Sequence, residues 1–200
     1  MAYSSVTRRR GIDTSVSRDQ ILAAAEDLIL AGGFAEATVT ELAERAGVSR
    51  ATVFSRFGSK LGVLEALSVR CSGGPQMQAI RAAVALDDAA RILPTLISAS
   101  SEHWEVQGHI LRTMKAVAEL EPDARAFVED QRRDQRESME TVVATLLRGG
   151  RTSELSRPKL VAALHLVTSL EAFMELRRDA GLSLQATKDV LTRTAEGLLD

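Results

Sequence analysis

Residues 38–60 have the sequence TVTELAERAGVSRATVFSRFGSK, and this segment is the most informative about the N-terminal part of the chain. Its apolar spacing predicts two short helices, at 39–46 and 50–57. Ser49 is a favourable N-cap for the second helix. Gly47 lies between the helices, and glycine tolerates the positive φ that a tight helix–helix turn requires. The stretch therefore predicts a helix-turn-helix.

The second of these helices has the surface expected of a helix that contacts DNA. Val53 fills the angle between the helices, while the opposite face carries Arg50, Ala51 and Arg56. Small side chains let the helix backbone approach DNA, and arginine contacts guanine edges or phosphates. Helix 50–57 is therefore predicted to be the recognition helix. The predicted DNA-binding residues are Thr38, Thr40, Ser49, Arg50, Ala51, Thr52, Phe54, Ser55, Arg56 and Lys60.

The rest of the chain also has helical patterns, so the predicted fold class is all-α. Four prolines in 200 residues and the lack of sustained apolar–polar alternation argue against strands. Ser17 with Gln20, and Thr38 with Glu41, fit capping boxes at the first two helices. The other predicted helices span about 18–31, 60–71, 76–86, 89–104, 108–120, 122–148, 157–179 and 183–198, with Pro94 as a possible kink.

Three segments are expected along the chain. Residues 1–16 are polar and arginine-rich and are predicted to be a flexible basic arm. Arg8-Arg9-Arg10 in this arm is either a solvated tail or a minor-groove contact. The sequence Ser72-Gly73-Gly74-Pro75 is the clearest break. It separates the DNA-binding domain with its linker helix, 17–72, from a larger helical regulatory and dimerisation domain, 75–200.

The composition is that of a globular protein with an ordinary charge balance. Hydrophobic residues make up 45% and charged residues 26%, with a net charge of −2, which excludes a disordered chain and a polycation. The single cysteine, Cys71, excludes an internal disulfide and a cysteine-based zinc cluster. No apolar stretch approaches the ~20 residues of a membrane span, and the N-terminus lacks a secretory pattern. We therefore expect a cytoplasmic protein without membrane contact.

The resemblance to a known family rests on the run Ala46-Gly47-Val48-Ser49-x-x-Thr52-Val53-Phe54-x-x-Phe57-x-Ser59-Lys60. This run resembles the DNA-binding signature of the tetracycline-repressor (TetR-type) transcriptional regulators, and the resemblance covers residues 17–64. Two positions depart from the family pattern. Phe54 stands where the family often has a tyrosine whose hydroxyl meets a phosphate, and Leu61 stands where it usually has glutamate.

The resemblance implies a dimeric repressor that releases a palindromic operator when a small molecule binds. Helix 157–179 is apolar on more than one side, as expected for a helix between the core and a partner. A helix buried in the monomer core is the alternative. If helix 157–179 does face a partner, this helix and helix 183–198 from each of two chains would form a four-helix interface. The predicted homodimer contacts are Leu160, Leu164, Val167, Met174, Val190, Leu191, Thr194 and Leu198.

The resemblance also implies an effector cavity among the middle helices of the C-terminal domain. Taken singly, each candidate fits ordinary core packing better than contact with a ligand, because an apolar residue at helical spacing usually belongs to the core. In the predicted helix 122–148, the spacing of the apolar residues, continued along the helix, includes Gln131 and Gln135. These two glutamines are therefore expected to point inward. The effector-binding candidates are His103, Trp104, Met114, Phe127, Gln131, Gln135, Met139 and Phe173.

Two other functions compete with a ligand-responsive regulator. One is a helical ligand- or protein-binding module with a vestigial DNA-binding head, which Phe54 favours and Arg50 and Arg56 oppose. The other is an enzyme, but no Ser-His-Asp set, His-Glu-x-x-His motif or phosphate-binding glycine loop is found. We therefore expect no catalytic residues, cofactor or metal site. An activator would have the same sequence features as a repressor.

Overall fold

The computed structural model describes residues 14–200, and every regular element in this range is helical. The chain divides into two compact units, which meet in sequence between Leu67 and Ser68. No helix in the described range has the length and apolar character needed to cross a membrane. The helices are α1 (Thr14–Leu30), α2 (Val39–Arg45), α3 (Arg50–Phe57), α4 (Lys60–Gly73), α5 (Pro75–Val84), α6 (Ile92–Ala118), α7 (Pro122–Arg148), α8 (Arg157–Val167), α9 (Leu170–Met174) and α10 (Leu184–Glu196).

The first unit is a small helical domain built from α1, α2, α3 and the first half of α4. Each helix contributes apolar residues to one core: Ile21, Leu42, Val53 and Leu64 have no exposed surface. Burial of such side chains is the main source of stability for the short helices α2 and α3, because isolated helices of about two turns are marginal in water.

The second unit contains the end of α4 and helices α5 to α10. Its core is formed by α5, α6, α7, α8 and α10, with Ile92, Val142, Leu146, Leu164 and Ala195 completely buried. The helix α6 packs against α5, α7 and α10, and α7 packs against α8. A short π-helical turn, Glu175–Asp179, continues α9.

Two predicted helix boundaries in this unit are wrong. The predicted break between 104 and 108 does not exist, because α6 is a single helix of 27 residues. Pro94 lies in its first turn, where the missing N–H needs no helical partner. Conversely, the predicted helix 157–179 is divided at Thr168–Ser169, where the Ser169 side chain accepts a hydrogen bond from the Ala172 N–H at 3.1 Å and starts α9.

Two helix ends in the first half of the chain also differ from prediction. The helix α1 begins at Thr14, so Ser17 is buried inside it and does not form the predicted N-cap. The helix α4 continues through Ser72 and ends at Gly73, so the break falls at Gly74. As a result, α4 is one continuous helix whose residues belong to both units.

Candidate functional site

The helices α2 and α3 are joined by the predicted glycine turn. Gly47 has φ +66°, a conformation in which a side chain is strained. Its N–H donates to the Glu44 carbonyl at 3.1 Å, and the Val48 N–H donates to the Ala43 carbonyl at 3.0 Å. This pair of hydrogen bonds is a Schellman motif, which satisfies the last carbonyls of α2 and reverses the chain toward α3.

Side-chain caps set the starts of both short helices. Thr38 Oγ1 accepts the Glu41 N–H at 3.1 Å, and Ser49 Oγ accepts the Thr52 N–H at 3.1 Å. Each cap satisfies a backbone donor that the helix leaves unpaired. The first turn of α3 is therefore held in a defined geometry.

The face of α3 opposite its core residue is a polar and basic surface. Val53 is fully buried, and Arg50, Ala51, Ser55 and Arg56 are exposed. Of the predicted DNA-binding residues, all are exposed except Thr52 and Lys60, which are half-buried. Two guanidinium groups on a helix with small neighbours suit contact with phosphates and guanine edges.

Phe54 holds one of these arginines instead of supplying a hydroxyl. The residue is 41% exposed, and the Arg50 guanidinium carbon lies 5.2 Å from the centroid of the Phe54 ring. A cation over an aromatic face is attracted by the ring quadrupole. The contact therefore orients Arg50 on the surface of α3.

Lys60 is directed into its own domain. Its Nζ donates to the carbonyls of Phe34, Ala35 and Ala37 at 3.0, 2.7 and 3.0 Å, which uses all three ammonium hydrogens. Lys60 thus fixes the loop that precedes α2, and a phosphate contact would require it to give up these bonds. Arg8, Arg9 and Arg10 lie outside the described residues.

The second unit contains a cavity of about 380 Å³. Residues from α4, α5, α6, α7 and the end of α8 form its wall. Five of the predicted effector residues lie in this wall: His103, Trp104, Gln131, Gln135 and Met139. Three do not, because Met114 and Phe173 are buried in the packing of the helices and Phe127 lies on α7 away from the cavity.

The sequence analysis did not predict the other residues of the cavity wall. Ser68, Arg81 and His165 come from α4, α5 and α8, and they share no spacing that indicates a common site. Only the packing of these helices brings them together. No group of three or more His, Cys, Asp or Glu side chains within residues 14–200 is arranged to hold a metal ion.

The two histidines of the wall are kept uncharged by their surroundings. Burial lowers the pKa of His103 to about 4, and it also lowers the pKa of His165, with further lowering from Arg136 and Lys115. The ring of His103 meets that of Trp104 edge-on at 4.8 Å between centroids. Trp104 Nε1 donates to the Thr168 carbonyl at 3.0 Å, at the break between α8 and α9.

The predicted dimer contacts divide into two groups. Leu160, Leu164, Val167 and Leu191 lie in the core of their own chain, with at most 7% of their surface exposed. The side chains of these four residues are therefore already covered within their own chain. Val190 and Thr194 are exposed, and Met174 and Leu198 are half-buried. Leu166, which was not predicted, is 64% exposed on α8.

A capped helix with an exposed basic face, set after a glycine turn in an all-helical chain, defines a helix-turn-helix DNA-binding domain. The sequence model described as "Bacterial regulatory proteins, tetR family" matches residues 21–67. Residues 21–67 thus match the DNA-binding part of this family, as the resemblance predicted.

Known proteins support the same assignment. The HTH-type transcriptional regulator AlkX of Mycobacterium tuberculosis is 36% identical over 53 residues, which is 26% of this chain and 25% of that relative. The match thus spans a quarter of the relative's length.

Two solved structures share the whole fold. A putative transcriptional regulator from Saccharomonospora viridis, in complex with choline, has a TM-score of 0.73 at 19% identity and covers 92% of this chain and 98% of its own. SmeT, the repressor of the Stenotrophomonas maltophilia multidrug efflux pump SmeDEF, has a TM-score of 0.68 at 22% identity, with coverages of 94% and 93%.

Proposed function

We propose that this protein is a homodimeric transcriptional repressor that leaves a palindromic operator when a small molecule binds in the cavity of its second unit. The observation that carries the proposal is the exposed face of α3, with Arg50 and Arg56, on a TetR-type domain. Each copy would place α3 in the major groove of one half-site. Two-fold symmetry of the protein then requires two-fold symmetry of the operator.

The continuity of α4 supports coupling between ligand and DNA. The helix begins at Lys60, which holds the loop before α2, and near its other end Ser68, Cys71 and Ser72 line the cavity. A ligand that moves the cavity end of α4 also biases its N-terminal end. A coupling free energy of about 1–3 kcal/mol lowers operator affinity 5- to 150-fold, and DNA lowers ligand affinity by the same factor.

Two proteins of the same fold support this kind of control. The S. viridis structure holds choline, and SmeT is described as the repressor of an efflux pump. A ligand-binding regulator is thus consistent with this architecture. A binding module with a vestigial DNA-binding head is the competing function.

The exposed apolar residues of α8 and α10 support a dimer. Leu166 on α8 is 64% exposed and Val190 on α10 is 39% exposed, so both apolar side chains are accessible to a second copy of the chain. We expect sedimentation of the unmodified protein at micromolar concentration to give a dimer. Leu166→Glu with Val190→Glu should give a monomer, whereas Val106→Glu, at a 47% exposed site on α6, should leave the dimer intact. A monomer before mutation would contradict the proposal.

The decisive experiment is selection of bound genomic fragments with purified protein at a stated salt concentration, because phosphate contacts make affinity salt-dependent. The regulator predicts enrichment of a motif with two-fold symmetry. The absence of enriched fragments would favour the vestigial head. A reporter gene placed behind a selected fragment then tests the sign: expression should fall when the protein is supplied, and a rise would indicate an activator.

A further inference from the structure

The cavity wall has a distinct distribution of charge, and this bears on the ligand that the proposed function requires. Leu96, Ser100, His103 and Met139 line the cavity with at most 6% of their surface exposed. None of them carries a charge near pH 7, since burial lowers the pKa of His103 to about 4. The inner part of the wall is therefore uncharged.

Two residues of the wall are charged, and their charges have opposite signs. Arg81 and Asp134 line the cavity, and both side chains are exposed to solvent. Arg81 Nη2 already donates to the Ser72 carbonyl at 3.0 Å. A ligand ion in the inner part would have no buried counter-charge, and a buried ion without a partner is strongly disfavoured.

Two residues of the wall each carry a buried polar atom that lacks a hydrogen-bond partner among the described residues. These are Ser68 Oγ and His103 Nδ1, on side chains with 0% and 1% exposure. Buried polar groups are costly unless they are paired, so a ligand that pairs them gains affinity. A hydroxyl donates and accepts, and a neutral imidazole has one donor and one acceptor nitrogen.

Apolar side chains form the rest of the wall. Met77, Ile80 and Val84 contribute from α5, and Leu96, Leu111 and Met139 from α6 and α7. These surfaces suit the hydrocarbon body of a ligand. The wall therefore combines hydrocarbon contact with a small number of uncharged hydrogen-bonding groups.

We propose that the effector is an uncharged molecule with a hydrocarbon body and a hydroxyl or carbonyl oxygen that pairs with Ser68 and His103. Carboxylates and ammonium ions of the same size are excluded from the inner part of the cavity. This inference rests on the proposed function in one respect, namely that the bound ligand is an effector.

A matched set of probes tests the charge preference directly. Decan-1-ol, decanoate and decylamine share one hydrocarbon chain and differ in the charge of the head group. Isothermal titration calorimetry on the full chain at pH 7.5, below the concentrations at which the probes aggregate, should give an affinity at least about tenfold higher for the alcohol than for either ion. Tighter binding of decanoate or decylamine would overturn the proposal, and so would the absence of binding by all three.

Two serines form a matched pair of variants. Ser68 and Ser101 both have a buried hydroxyl without a partner among the described residues, but only Ser68 lines the cavity. We expect Ser68→Ala to lower decan-1-ol affinity about fivefold, the loss of one hydrogen bond, and Ser101→Ala to leave it unchanged. Equal effects of both variants would contradict the predicted contact. His103→Gln, which keeps hydrogen-bonding capacity, should retain more affinity than His103→Phe.

Fluorescence anisotropy with a selected DNA fragment separates this proposal from the proposed function. Preference for the alcohol by a protein that does not bind DNA would uphold the ligand class and refute the regulator. Operator binding that responds only to a charged probe would uphold the regulator and refute the ligand class.

Discussion

The two compact units place their candidate sites in opposite environments. In the first unit, helices of seven and eight residues carry the candidate residues on an exposed face, each helix started by a side-chain cap. In the second unit, two helices of 27 residues enclose a cavity, and its wall is assembled from distant parts of the chain. A surface site can lose its function without loss of stability, whereas substitutions in a cavity wall change binding and stability together.

The largest expected effect tests the surface site. Arg50→Ala with Arg56→Ala should lower operator affinity at least about 30-fold, because each arginine contact is worth about 1–3 kcal/mol. Both side chains are exposed, so the free energy of unfolding should change by less than about 0.5 kcal/mol. Anisotropy and urea titrations measure the two quantities. Arg193→Ala, at an exposed site on α10, is the control, and equal losses in both proteins would refute the assignment of α3.

The next effect tests the cavity site through pH. His103 has a pKa of about 4 in the folded chain against about 6.5 when unfolded, so the unfolded state binds the proton more tightly. Stability should therefore be complete above pH 6.5 and fall by up to about 3 kcal/mol as the pH drops to 4. Urea unfolding followed by circular dichroism from pH 7.5 to 4 measures this. His103→Gln should have a shallower dependence, and an identical slope would show that His103 does not contribute.

Lys60 tests whether an interior contact supports the surface site. Lys60→Met should destabilise the chain by about 2 kcal/mol, since three carbonyls lose a charged donor. Urea unfolding checks this against Lys159→Met, a change at an exposed site on α8. If Lys60 instead contacts a DNA phosphate, the same change should leave stability unaltered, weaken DNA binding and reduce the salt dependence by about one phosphate contact.

The smallest effect compares two glycines. Gly47 has φ +66°, so Gly47→Ala should cost about 1 kcal/mol of stability through backbone strain. At Gly108 in α6, an added Cβ would lie 2.9 Å from Leu170 Cδ1, and the helix-propensity gain offsets this contact. Gly108→Ala should therefore change stability by less than about 0.5 kcal/mol. When Leu170→Val is combined with each variant, the stability change caused by Gly108→Ala should become more favourable. The stability change caused by Gly47→Ala should stay the same, as urea unfolding of each protein will show.

Local chemistry explains which parts of the fold were predictable. Thr38, Gly47 and Ser49 act on backbone groups within a few residues of themselves, so α2, α3 and their turn followed from sequence. The end of α1 at the Gly32-Gly33 pair and of α7 at Gly149-Gly150 followed for the same reason.

Packing between distant residues explains what was not predictable. The polar stretch around Trp104 stays helical because α6 is packed on several neighbours. Ser169 starts a new helix in the middle of the predicted helix 157–179, although the apolar spacing continues on both sides of it. Likewise, the cavity wall obtains Ser68, Arg81 and His165 from three helices. Apolar periodicity identified Met114 and Phe173 as candidates, but it does not distinguish a cavity wall from a filled core.

The bond between Trp104 and the Thr168 carbonyl has a practical consequence. Trp104 is the sole tryptophan of the 200 residues, and it lines the cavity with its indole N–H engaged at the α8–α9 break. The tryptophan emission of this protein therefore comes from a single indole in that wall. A bound molecule that displaces the indole or removes water from its surroundings shifts that emission. Binding in the cavity can therefore be followed by the fluorescence of the unlabelled protein.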